Sequence, residues 1–179
     1  MVIWITGISG AGKSTICQAI VDRLKPFLPS LVNLDGDVVR AIFGDGLGHK
    51  EGDRVLQINR IQRLALEMEK QGLVVLVAAL YAHPDLSAWN RKNFSDYLEV
   101  FLDAPLSLVE ERDPKGLYAK VRAGQMQDVV GVDITWHKPT APHIHMLATN
   151  TRTPDAMATE IIAAMKARGV LAPVPLSHD

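Results

Sequence analysis

Five short apolar runs punctuate the chain, at Val2–Thr6, Leu31–Leu34, Leu73–Ala79, Leu98–Leu102 and Ile144–Ala148. Each is largely aliphatic and bounded by turn residues, which is the signature of a strand buried in a sheet covered on both faces. Between them lie stretches compatible with helix: Lys13–Leu24, Asp53–Gln71, a short piece near Leu86–Asn93, and Leu106–Glu111. Thr153, followed by Pro154 and Asp155, is a helix start for Ala156–Arg168. Alternating strands and helices predict an α/β fold, a doubly wound parallel sheet of about five strands flanked by helices. Two segments break the alternation. Phe43–Gly52 holds four glycines, and Arg112–Pro142 is polar, charged and contains prolines. Long irregular stretches inside α/β domains commonly form lids or substrate loops. The expectation is therefore one domain over residues 1–169, with lid and acceptor loops at about 44–52 and 112–142, and a flexible tail at 170–179.

The sharpest chemical signal follows the first strand. Gly7-Ile8-Ser9-Gly10-Ala11-Gly12-Lys13-Ser14 fits G-x-x-x-x-G-K-[ST], and Thr15 carries it into the first helix. A strand, a glycine turn and a helix N-terminus together make a phosphate cradle, because backbone N–H groups converge on phosphate oxygens and the helix end adds positive potential. This predicts an enzyme of the P-loop NTPase type that uses ATP and Mg²⁺. Lys13 would reach the β- and γ-phosphates, and the Ser14 hydroxyl would join a Mg²⁺ shell.

Composition narrows the partners. With 179 residues, 47% of them hydrophobic, the chain has enough apolar material for one full core. A formal net charge of −1 argues against an extended nucleic-acid surface. The longest apolar run, Leu73 to Leu80, is too short to span a bilayer, and no charged leader precedes the first strand, so a cytoplasmic location is expected. The single cysteine, Cys17, reads as a buried thiol. The six histidines lack ligand spacing, which argues against a histidine metal site; His143 and His145 alternate on the last strand. Trp89 and Phe94 read as packing residues.

Other candidates follow from position. Asp35-Gly36-Asp37 ends the second strand, at the sheet edge where open α/β folds place ligands. Asp35 is the candidate for proton acceptance or for holding a Mg²⁺-bound water. Asp37 either caps the next helix or contacts the acceptor. On the helix over Asp53–Gln71, Ile58, Ile61, Ala65 and Met68 share an apolar face, which Arg54 and Gln57 continue. A guanidinium on a buried stripe needs a partner, and a phosphate or sulfate would serve. Gln57 either meets that ligand or is satisfied within the core. Arg112 to Tyr118, with Lys120 and Arg122, gathers cations that could close over nucleotide phosphates.

These residues, in this order, resemble the adenylylsulfate kinase family. The likeness covers Gly7–Thr15, Leu34–Arg40, Leu47-Gly48 with Asp53-Arg54, Glu99–Pro105, Arg112–Tyr118 with Arg122-Ala123-Gly124, and Gly131-Val132-Asp133. It implies transfer of the γ-phosphate of ATP to the ribose 3′-hydroxyl of adenylyl sulfate, a small-molecule acceptor, on an enzyme that family analogy makes a homodimer. It further implies that Gly7, Ser9 and the run Gly10, Ala11, Gly12, Lys13, Ser14 and Thr15 hold ATP with Arg112. Lys13 and Asp35 would be catalytic, Ser14 and Asp35 would hold the metal, and Asp37, Arg40, His49, Arg54, Gln57, Lys115, Val129 and Asp133 would meet the acceptor.

The departures from the family pattern cluster on the acceptor side. The family's two adenine-stacking phenylalanines read His49 and Val129 here, its helix asparagine reads Gln57, and the string after the third strand reads Leu80-Tyr81-Ala82-His83-Pro84. With Leu47–His49, Trp89–Arg91, Asn93-Phe94 and Val129–Asp133, the chain is also similar to a branch of the family tied to capsular polysaccharide modification, whose members resemble kinases of cytidine diphosphoramidate.

Overall fold

The computed structural model describes residues 1–44 and 46–170. Its elements run β1 (Val2–Thr6), α1 (Lys13–Leu24), β2 (Leu31–Asp35), α2 (Gly36–Phe43), α3 (Glu51–Lys70), β3 (Val74–Ala79), α4 (Pro84–Asn93), β4 (Tyr97–Asp103), α5 (Leu106–Arg112), α6 (Leu117–Arg122), β5 (Ile144–Leu147) and α7 (Pro154–Ala167). The five strands form one parallel sheet in the order β2-β3-β1-β4-β5. This is the doubly wound sheet that the alternation of runs predicts.

β1 sits at the centre, and its side chains divide between the two faces. Ile3 and Ile5 join Ile16 and Ile20 of α1 and Ile161 of α7 in one core. Val2 and Trp4 join Ile58, Ile61 and Ala65 of α3 in the other. All five β1 residues are buried, and each large aliphatic side chain removed from water contributes about 1.5–3 kcal/mol. The aromatics near the sheet margin are packing residues: Trp89 meets Phe94 edge-on at 5.7 Å, and Phe94 lies against Trp4 and Tyr97. Cys17 is fully buried, and burial pushes its thiol well above the usual range.

The parallel register matters for the site, because it brings the strand ends to one edge. Thr6 pairs with Ala79 on one side and Phe101 on the other, while Asp35 pairs with Ala78. The loops after β1, β2 and β3 therefore open together.

Several boundaries differ from the sequence expectation for local reasons. α3 starts at Glu51, so the irregular glycine segment is shorter than expected. α4 starts at Pro84, a residue suited to the first helical turn, with the His83 ring accepting from the Asp85 amide. α6 lies inside the segment that reads as irregular; its one buried residue is Tyr118, too little for a periodic signal. The α2 cap is Asp35, whose Oδ1 accepts from the Asp37 amide at 2.9 Å, so Asp37 is not the capping residue. Val170, expected in the tail, closes the end of α7 through its amide to Met165 and packs on the core. The rest of that tail lies outside the described residues. Among them, no helix is long and apolar enough to cross a membrane.

Gly7 marks where the first strand meets the site. A Cβ there would stand 2.6 Å from the Leu102 carbonyl oxygen on β4, and the central sheet has little freedom to yield. Gly7→Ala is expected to destabilise the fold by about 1–3 kcal/mol, seen as a lowered Tm in thermal denaturation; an unchanged Tm would contradict this close approach.

Candidate active site

The turn between β1 and α1 is shaped for a multiply charged ligand. Gly12 adopts φ 104°, a conformation that side chains resist, and hands the chain directly into α1. No side chain caps this helix, so its first N–H groups face outward for a ligand. Lys13 folds back over the turn, its Nζ donating to the Gly7 and Ile8 carbonyls at 2.7 and 3.0 Å. Burial drives the Lys13 ammonium down to about 8, opposed by the carboxylates of Asp37 and Asp35. A cation held this way gains from an incoming phosphate, which would replace neutral carbonyls by charge.

The second strand delivers the opposing wall. The Ser14 hydroxyl donates to Asp35 Oδ2 at 2.5 Å, so the helix after the turn touches the end of β2 directly. Asp35 is thereby engaged at both oxygens, by Ser14 and by the Asp37 amide. Around this contact lies a cavity of about 500 Å³. It collects Ser9 to Thr15, Asp35, Asp37, Arg112 and Lys115 from the expected set. Gly7 stands outside that wall and contributes its carbonyl to Lys13. Arg112 donates to the Thr149 carbonyl and the Asn150 side chain, tying the end of α5 to the loop after β5.

A second cavity of about 310 Å³ adjoins the first. Ser9, Gly36, Asp37, Leu80 and Lys115 line both. The Lys115 ammonium is bonded to the Asp37 carboxylate in this shared wall. Burial alone would raise the Asp37 pKa, but Lys115, Lys13 and Arg40 hold it below the usual carboxylate range.

The second cavity brings together Asp37, Arg40, His49, Arg54, Gln57, Lys115 and Val129. Arg40 donates to the Leu47 and Gly48 carbonyls at 2.9 Å each, so it shapes the glycine segment as well as facing the cavity. Arg54 reaches the His49 carbonyl at 2.8 Å and the Asp128 carbonyl at 2.6 Å, joining both irregular segments. Gln57 is 5% exposed; its Nε2 donates to the Gly36 carbonyl at 3.2 Å while Oε1 is buried without a partner. Partial burial and the cations Arg40 and Arg54 lower the His49 pKa, which favours a neutral ring. Four cations, Arg40, Arg54, Lys115 and Lys120, face this space against two carboxylates, Asp37 and Asp128. The electrostatic preference is for an anion.

Asp133 falls outside both cavities. Its carboxylate accepts from the Asp128 and Val129 amides in a turn that holds Val129 in place, so the structure does not bring it into the cavity that collects the other expected acceptor residues. Sequence reasoning also missed residues. Tyr81 lines the second cavity, its hydroxyl donating to Glu51 at 2.5 Å, and it stands just past β3, where the carboxyl-end rule could have found it. Arg152 and Met157 line the first cavity and follow β5 in the same way. Lys120, from the cation-rich string expected to close over phosphates, lines the second cavity beside Leu117, while Met126 comes from the part of that segment without periodicity, which offered no signal. Tyr118, buried, reaches back to the Ser9 carbonyl at 2.9 Å and joins α6 to the glycine turn.

This arrangement has known relatives. A model of the adenylylsulphate kinase family matches residues 1–147. The adenylyl-sulfate kinase of Rippkaea orientalis is 39% identical over 170 residues, spanning 95% of this chain and 93% of its own. That of Aeromonas hydrophila is 40% identical over 172 residues, spanning 94% and 86%. Among solved structures, the Mycobacterium tuberculosis APS kinase CysC in complex with AMPPNP and APS superposes with a TM-score of 0.85 at 34% identity, covering 92% of this chain and 96% of that one. With the glycine turn, the aspartate edge and the sheet all matched along most of its length, this chain belongs to the adenylylsulphate kinase family.

Proposed function

We propose that this chain transfers the γ-phosphate of ATP to the ribose 3′-hydroxyl of adenylyl sulfate. The observation that carries the reading is the shared wall: a phosphate-shaped cavity and an anion-seeking cavity meet at Asp37 and Lys115. ATP occupies the first cavity, with its polyphosphate on the glycine turn and Lys13, and with Arg112 and Arg152 toward the nucleoside end. The acceptor occupies the second, its sulfate and phosphate charges facing Arg40 and Arg54. A cytoplasmic location fits the need for ATP. The homodimer expected from family analogy is supported by exposed apolar side chains on α2 and α3, namely Val38, Ile42, Phe43 and Leu56.

Ser14 Oγ and Asp35 Oδ2 converge at 2.5 Å, a hard oxygen pair suited to Mg²⁺. Bound there with the nucleotide, the ion would neutralise the β- and γ-phosphate oxygens. Asp35, with both oxygens engaged and lining only the ATP cavity, suits this holding role. Asp37 lines both cavities and suits proton acceptance. The acceptor hydroxyl attacks the γ-phosphorus, the bond to the β-bridging oxygen breaks, ADP departs, and the hydroxyl proton passes to the Asp37 carboxylate. Lys115, drawn from Asp37 to the transferring phosphoryl group, would offset its charge and raise the affinity of Asp37 for that proton.

A second reading rests on the acceptor wall. Among the described residues, the ring side chains lining that cavity are His49 and Tyr81, with no phenylalanine pair to sandwich a purine. Stacking contributes on the order of 1–3 kcal/mol per base, so a smaller pyrimidine acceptor, cytidine diphosphoramidate, is the rival.

Two experiments separate these assignments. In an ADP-release assay, adenylyl sulfate is expected to support turnover; turnover with cytidine diphosphoramidate alone would replace the first acceptor by the second, and turnover with neither would overturn the kinase reading. Asp37→Asn is expected to lower kcat by about 10²–10⁴ with little change in the KM for ATP, whereas Asp35→Asn should also raise the Mg²⁺ concentration needed for half-maximal rate. A near-normal kcat in Asp37→Asn would remove it from proton transfer.

A further inference from the structure

The strings Ala82-His83-Pro84 and Asn90-Arg91 take no part in either cavity described above. Ala82-His83-Pro84 and Arg91 line a third space, of about 90 Å³, closed on its other side by residues 137–140. This volume suits a small ion and excludes a nucleotide. Its ionisable lining is entirely basic: His83, Arg91, His137 and Lys138, with the hydroxyls of Ser87 and Thr140. The carboxylates that pair with two of these cations, Glu99 with Arg91 and Asp103 with Lys138, are not part of the lining.

The donors are defined by their other contacts. His83 Nδ1 accepts from the Asp85 amide at 3.3 Å, which leaves Nε2 as the protonated nitrogen. The Asp85 carboxylate stands 3.6 Å from the same Nδ1, and it too lies outside the lining. The His137 ring meets His83 at 4.9 Å in an edge-on arrangement, and neither of its nitrogens has a protein hydrogen-bond partner among the described residues. Arg91 spends one Nη on Glu99 and the Ala141 carbonyl, which leaves its remaining N–H groups for a ligand.

We propose that this cavity binds a small tetrahedral oxyanion of the phosphate or sulfate class, held by His83, His137, Arg91 and Lys138. Occupancy would be felt next door. The His137 ring also lies edge-on to Tyr81, at 6.5 Å and 86°, and Tyr81 forms part of the second cavity and is bonded to Glu51 at the start of α3. An ion that fixes His137 therefore fixes one wall of that neighbouring cavity.

Imidazole NMR on the full chain tests the site, because among the described residues no histidine lines the first cavity and His49 alone lines the second. Inorganic phosphate and, separately, sulfate are titrated against chloride at matched ionic strength. The expected result is a saturable shift of the His83 and His137 signals together, with either oxyanion or with one of them. His137→Ala and Lys138→Met should each weaken the saturation seen at His83 by about tenfold. Equal, non-saturating shifts across all histidines would mean an adventitious ion only and would overturn the proposal. So would saturation undiminished in both variants, or a response of the His83–His137 pair to zinc ion but not to either oxyanion.

Discussion

The hydrogen bond from Ser14 to Asp35 is the contact on which the site depends. It joins the first turn of α1, which follows β1, to the end of β2, and β3 lies between those two strands in the sheet. A parallel register alone brings strand ends to one edge, within a few residues. This short contact fixes the glycine turn against the aspartate pair. Tyr118 does the same from α6 through the Ser9 carbonyl, and Lys115 does so through Asp37. Three loops distant in sequence are thereby held around one point.

The electrostatics of the site follow from that convergence. Lys13 is half-buried and its pKa lowered to about 8, and Lys115 is occupied by a carboxylate of its own chain. Arg40 and Arg54 use backbone carbonyls as partners. Lys13, Arg40 and Arg54 are thus satisfied by neutral carbonyls, weaker acceptors than a phosphate oxygen. Loading the two cavities exchanges these internal contacts for charged ones, and the loops that carry the carbonyls are the loops expected to move.

Much of this was legible in the sequence, and the physical reasons are specific. Buried parallel strands leave unbroken aliphatic runs, so β1 was readable to the residue, and the glycine turn carries its own signature. The long face of α3 announced Arg54 and Gln57 because a polar group on an apolar stripe is conspicuous. Asp133 lies apart from the cavity that gathers the other expected acceptor residues, because a motif position does not reveal whether a carboxylate faces a cavity or its own backbone. The capping residue of α2 was open for the same reason, since Asp35 and Asp37 offer identical chemistry two residues apart. α6 and Met126 had no periodic pattern to betray them, and the closing of the third cavity by His137 depends on a contact between loops more than fifty residues apart in sequence.

The account stands on two cavities that fill together across Asp37 and Lys115. Calorimetric titration of adenylyl sulfate into protein saturated with magnesium and a non-hydrolysable ATP analogue tests this directly. One acceptor is predicted to bind per chain without displacing the analogue. Displacement of the analogue by the acceptor, one for one, would contradict two adjoining sites and the phosphoryl transfer between them.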